Sequence, residues 1–172
     1  MSEACMTKDE INSYLFQLNE ELAALEAVGE ICLYGGAVMC LVFDARPATK
    51  DVDAVFRPTR EIRLAAKRVA EHNHLPEDWL NDGVKGFLAA KENTKILAEY
   101  SNLRVYYADP HYLLAMKVMA ARVDLDRKDI EFLIRKLDIQ TADEVFRTVE
   151  GYYPQRLIKP AAQFAIEELF NL

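Results

Sequence analysis

Residues 31–56 read ICLYGGAVMCLVFDARPATKDVDAVF. Ile31 to Tyr34 is a short apolar run, the pattern of a buried strand. Gly35-Gly36 interrupts it and turns the chain into a second apolar run, expected to be a helix ending near Asp44. Pro47 disfavours helix at Arg46, so Arg46-Pro47-Ala48-Thr49 reads as a loop. Asp51 to Phe56 reads as the next strand. Residues two apart on a strand share a face, so Asp51 and Asp53 project together while Val52 turns to the core. Carboxylates that close repel each other and push their pKa values apart unless a cation sits between them.

A hard divalent cation, Mg²⁺ first among them, takes oxygen ligands of this kind and keeps positions open for phosphate oxygens. The Asp51/Asp53 pair therefore reads as a metal clamp. A strand that breaks at Gly35-Gly36 into a helix leaves backbone N–H groups unpaired at the helix start. Such groups attract anions, and glycine lets a phosphate come close. Arg46 and Thr49 fall in the return loop, where a guanidinium and a hydroxyl would assist a triphosphate.

Outward from this stretch, Thr7-Lys8-Asp9-Glu10 has the form of a capping box. Ile11, Leu15, Leu18, Leu22 and Leu25 follow at helical spacing, which predicts a helix over residues 8 to 28, closed by Gly29. Pro58-Thr59 opens a helix to about His74, with His74 at its cap. A short helix is expected around Trp79 and another near Phe87. Lys95–Tyr100 and Leu103–Tyr107 read as two strands joined at Ser101-Asn102. Helices are then expected from Asp109-Pro110 to Arg122, from Asp126 to Leu137, after Thr141, and from Pro160 to Leu172. The fold class is α+β: a mixed sheet flanked by helices over residues 1–110, and a helical part over residues 111–172 packed on it.

The 172 residues are 51% hydrophobic and carry a net charge of -7. That is enough chain for a well-buried core, and the acidic balance argues against strong non-specific nucleic-acid binding. A local basic face remains: Arg60, Arg63, Lys67 and Arg68 lie at helical spacing, either as a wet helix face or as an RNA-facing surface. No run reaches bilayer length, so no membrane partner is expected. The start, MSEACMTKDE, lacks the pattern of a signal peptide. Three cysteines, Cys5, Cys32 and Cys40, have no metal-ligand spacing and fit a reducing, cytoplasmic setting, with Cys32 and Cys40 as small core residues.

The ordered set of apolar strand, Gly-Gly, helix and Asp-Val-Asp, from Leu33 to Phe56, resembles the signature of the nucleotidyltransferase superfamily, the DNA polymerase beta-like fold. The spacing Arg46-x-x-Thr49-x-Asp51-x-Asp53 is similar to that of small bacterial members such as the AbiEii-type toxins of toxin–antitoxin and phage-defence systems. More weakly, Tyr112 to Arg122 followed by Arg127-Lys128-Asp129 looks like a second segment of that group. The resemblance implies that Gly35, Gly36, Arg46, Thr49 and Lys117 bind nucleotide and that Asp51 and Asp53 hold Mg²⁺. It further implies that Asp129 orients Lys117 or the acceptor. It implies NTP as substrate, an RNA, protein or small-molecule hydroxyl as acceptor, and a cognate antitoxin as partner. One departure stands out: many active members carry a third carboxylate on a later strand, and Leu103-Arg104-Val105-Tyr106-Tyr107 has none. Two readings stay open, a nucleotidyltransferase and a weak or inactive nucleotide- or partner-binding protein on the same fold.

Overall fold

The structure, a computed structural model, describes residues 4–154 and 157–171. It falls into two units. The first runs up to Lys85 and includes Thr94–Tyr107; the second takes Gly86–Asn93 and the chain from Ala108 onward.

The first unit begins with a two-residue strand β1 (Met6–Thr7) and helix α1 (Lys8–Ala24). Thr7 caps α1 as its sequence predicts: the Glu10 N–H donates to Thr7 Oγ1 at 3.3 Å, and the Thr7 N–H donates to Glu10 Oε2 at 2.8 Å. The helix stops four residues short of the expected end. Glu26 adopts a left-handed φ of 54°, and the N–H groups of Glu26 and Ala27 return to the carbonyls of Ala23 and Leu22. That is a Schellman closure with a glutamate in the usual glycine position. Gly29 instead opens strand β2 (Gly29–Tyr34).

Helix α2 (Gly35–Leu41) follows directly, then a two-residue strand β3 (Ala48–Thr49), strand β4 (Val52–Arg57) and helix α3 (Thr59–Asn73). His74, with φ 56°, closes α3 as expected. The segment around Trp79 is not helical. It leads into a short strand β5 (Leu80–Asn81) and a 3-10 turn over Gly83–Phe87. Strands β6 (Thr94–Glu99) and β7 (Leu103–Ala108) complete the set. The five-stranded sheet has the order β5-β4-β2-β7-β6. β2 pairs antiparallel with β4 and parallel with β7, and β4 pairs parallel with β5, so the sheet is mixed. β1 and β3 form a separate antiparallel pair, Met6 opposite Thr49.

Alternation sets the two faces. Ile31, Leu33, Val52, Ala54, Phe56, Leu103 and Val105 are all buried on one face. Leu22 of α1 and Ile62 of α3 reach this face at Gly29. α1 and α3 also bond to each other, through Gln17 with Asn73 and Arg68 with Glu21. The opposite face carries Glu30, Cys32, Asp53, Val55 and Arg57, which are half-buried or exposed. Cys40 is buried, and its thiol is pushed up by burial; Cys32 is half-buried and Cys5 exposed.

The second unit is helical: α4 (Pro110–Ala120), α5 (Val123–Lys136), α6 (Ala142–Tyr152) and α7 (Pro160–Phe170). Leu172, the expected end of α7, lies outside the described residues. Asp109 and Thr141 cap α4 and α6 by accepting from the N–H groups of Tyr112 (3.0 Å) and Glu144 (3.3 Å). Every side chain from Tyr112 to Val118 is buried, so α4 is the central helix, with α5 and α6 packed on it. Tyr112 stacks on Tyr152 at 4.9 Å between ring centroids. The Tyr112 hydroxyl accepts from the Ala89 N–H, the Tyr152 hydroxyl accepts from Asn93, and the Tyr153 hydroxyl donates to the Phe87 carbonyl. These bonds account for the place of Gly86–Asn93 in this unit. Among the described residues no helix is long and apolar enough to cross a membrane.

Candidate functional site

The geometry of the glycine turn follows from strand register. Tyr34, the last residue of β2, pairs with Asp53 on β4. The next residue, Gly35, has φ +59°, a conformation that costs an L side chain about 1–2 kcal/mol. A Cβ at Gly35 would also stand 2.9 Å from Asp53 Oδ2, so the carboxylate occupies the space a side chain would need. Gly36 repeats the arrangement with other groups. A Cβ there would lie 2.6 Å from Thr49 Oγ1 and 2.7 Å from Arg46 Nη1. Two missing side chains thus leave room for an acid, a hydroxyl and a guanidinium to converge on one turn.

Thr49 is buried and is held by β3, which pairs with β1. Its hydroxyl donates to the Asp51 carbonyl at 3.2 Å. Asp51 was expected within the strand, yet β4 begins at Val52. The alternation still holds through it: Asp51 is exposed, Val52 fully buried, Asp53 half-buried and Ala54 fully buried. The Asp51 carboxylate accepts from Asn81 Nδ2 at 3.5 Å. Asn81 is itself the β5 partner of Asp53.

Helix α2 departs from expectation in length. It ends at Leu41 rather than near Asp44 and has only seven residues. Two turns develop little macrodipole, so any pull on phosphate here comes from the groups that crowd Gly36, above all the Arg46 charge. Among the described residues no group of three or more His, Cys, Asp or Glu side chains could hold a metal ion. Two carboxylates beside a glycine cradle suit Mg²⁺, which dehydrates reluctantly and is commonly bound through one or two carboxylates, waters and substrate phosphates. Asp51 and Asp53 are the residues that would hold it.

Lys117 and Asp129 belong to the helical unit. Lys117, the implied nucleotide ligand, is 6% exposed, and Asp129 is 4% exposed. Lys117 Nζ lies 2.9 Å from Asp129 Oδ2 and 3.0 Å from Asp126 Oδ1. Asp126 is equally buried. Its second oxygen has no hydrogen-bond partner among the described residues and faces Arg122 Nε at 3.5 Å. Sequence reasoning missed both Asp126 and Asn81. Asp126 was findable, since i and i+3 on a helix share a face, which aligns it with Asp129. Asn81 carried no local signal.

No family model matches the chain, and no curated protein matches it. Among solved structures, the chain is similar to an antigenic nucleotidyltransferase-like protein from Paracoccidioides brasiliensis. The identity is 16%, the match covers 95% of this chain and 94% of that one, and the TM-score is 0.48.

Proposed function

We propose that the sheet unit is a nucleotidyltransferase module that takes an NTP and transfers its NMP to a hydroxyl acceptor. One observation carries the reading: the carboxylate of Asp53, the hydroxyl of Thr49 and the guanidinium of Arg46 fill the space that side chains at Gly35 and Gly36 would occupy. A polyphosphate carrying a divalent cation needs both an acid and a cationic side chain.

Mg²⁺ held by Asp51 and Asp53 would neutralise the phosphate oxygens and make the α-phosphorus more electrophilic. The protein's own groups do the rest. Arg46 meets the negative charge that builds on the departing pyrophosphate. Thr49 keeps the Asp51 backbone in place through its bond to the carbonyl. The glycines admit the outer phosphates to the backbone. The acceptor hydroxyl attacks in line, and positioning with electrostatics supplies most of the acceleration. The resemblance to AbiEii-type proteins extends the proposal to a toxin–antitoxin or phage-defence role, with an RNA, protein or small-molecule acceptor and a cognate antitoxin.

The test is incubation with each labelled NTP, Mg²⁺ and total cellular RNA or lysate, following the label into product. Label entering a discrete acceptor, and none with Asp53→Asn, supports the reading. Equal transfer by Asp53→Asn refutes the site. A second reading, Mg²⁺-dependent NTP binding without turnover, is favoured by the lack of a third acid beside the pair among the described residues. Nucleotide binding without pyrophosphate release is its signature.

A further inference from the structure

We infer that Asn81 is a positioning residue of the acid pair: its side-chain amide fixes Asp51 so that Asp51 and Asp53 can share one cation. The inference rests on the reading of that pair as a cation clamp. Asp51 lies just outside β4, so the strand ladder does not hold it, and its own carbonyl is taken by the Thr49 hydroxyl. Among the described residues, the donor to its carboxylate is Asn81 Nδ2.

Three features make Asn81 suited to that task. Parallel pairing sets Leu80 opposite Val52 and Asn81 opposite Asp53. Leu80 and Val52 are both buried, so alternation places Asn81 on the sheet face that carries Asp53. The amide is also oriented. The Gly83 N–H donates to Asn81 Oδ1 at 3.2 Å, which leaves the NH₂ end to face Asp51. Finally, the short strand that carries Asn81 is anchored. The Val52 N–H donates to the Trp79 carbonyl at 2.6 Å, and the buried Trp79 indole donates to the Ala66 carbonyl of α3 at 3.0 Å. Next to Asn81, Asp82 is clamped by Arg63 (2.8 Å) and Lys85 (2.6 Å). At 3.5 Å the Asn81–Asp51 bond sits at the long end of the hydrogen-bond range.

The experiment titrates Mn²⁺, as a spectroscopic stand-in for Mg²⁺, into wild type, Asn81→Leu, Asn81→Gln and Asp53→Asn, reading free Mn²⁺ by electron paramagnetic resonance. Thermal melts without metal run alongside. Asn81→Leu keeps the branched skeleton and removes the amide; Asn81→Gln keeps the amide on a longer arm. The expected result is binding weakened about tenfold in Asn81→Leu, the scale of losing a group that orients a metal ligand. Asn81→Gln is expected to stay within about threefold of wild type, and melting temperatures to stay together. Wild-type affinity in Asn81→Leu overturns the role of Asn81, as does equal weakening in the Leu and Gln variants. Absence of Mn²⁺ binding in wild type, or undiminished binding in Asp53→Asn, brings down the acid-pair reading and this inference with it.

Discussion

Two pairs of aspartates stand in the two units with similar spacing and opposite surroundings. Asp126 and Asp129 lie three apart on α5, and both are buried against the Lys117 ammonium. Asp51 and Asp53 lie two apart at the start of β4, one exposed and one half-buried, beside two glycines. In the helical unit the charges meet partners the chain supplies, and one ammonium between two carboxylates leaves a single negative charge for Arg122 to face. In the sheet unit the acids stand beside two glycines whose missing side chains make way for the Asp53 carboxylate, the Thr49 hydroxyl and the Arg46 guanidinium. Spacing alone does not decide whether an acid is structural or available to a ligand. The side chains, or the lack of them, on the facing element decide it.

The comparison breaks most readily at its functional end. Asp53→Asn is expected to reduce nucleotidyl transfer on the order of 10⁴-fold, about 5 kcal/mol of barrier, because charge stabilisation at the reacting phosphate is lost. Its unfolding midpoint in urea should stay near that of wild type; a large shift would make Asp53 a structural residue like Asp129. The converse holds for Lys117→Met. Removing one partner from a buried ion cluster is expected to cost about 3–5 kcal/mol of stability, since two buried carboxylates lose the ammonium between them. Urea unfolding of Lys117→Met and of the triple variant Lys117→Met/Asp126→Asn/Asp129→Asn should show most of that loss recovered in the triple. No recovery would refute the charge argument.

Glycines sharpen the contrast at smaller magnitude. Gly35→Ala is expected to cost about 1–2 kcal/mol from its left-handed backbone alone, more as the new methyl displaces Asp53, and to depress transfer. Gly151 lies in α6, and beyond its own helix no atom would stand within 4 Å of a Cβ there. There Gly→Ala should stabilise by about 0.5 kcal/mol, the helix-interior preference for alanine. Equal effects at the two sites in thermal melts would remove the distinction between a cradle and an ordinary helical glycine. A similarly small effect belongs to Asp82, an acid between the two extremes. Lys85 first, and then Arg63, hold its carboxyl below the usual carboxylate value. A depressed native pKa contributes stability that is present above the unfolded value, about 3.9, and is lost as pH falls through the native one. Asp82→Asn should therefore cost at most about 1 kcal/mol at pH 7, with the gap closing below about pH 4. A gap that persists at pH 2.5 would contradict the ion-pair origin.

What was legible in the sequence was local. The capping box of Thr7 and Glu10 needs three residues' spacing and formed as written. The alternation through Val52, Ala54 and Phe56 placed Asp53 on the other sheet face, and the N-terminal caps at Asp109 and Thr141 followed from their side chains. What escaped was pairing at a distance or chemistry that mimics another element. The β1–β3 pair joins two dipeptides some forty residues apart, with no pattern long enough to show a period. Pro76-Glu77-Asp78-Trp79 looks like a helix start, yet Trp79 is drawn into the core by α3 and gives its carbonyl to Val52. That misreading hid Asn81, and with it the hydrogen-bond donor to Asp51. Glu26 closed α1 in a conformation that its side chain does nothing to advertise.

The small β1–β3 ladder has a practical corollary. It ties the chain's beginning to Thr49, so Cys5, one residue before the ladder, stands at the edge of the return loop. Cys5 is also the exposed thiol, while Cys32 is half-buried and Cys40 buried. A maleimide fluorophore attached under mild conditions would therefore settle at that position, and a change in its emission on adding NTP would test for nucleotide binding without any engineered cysteine.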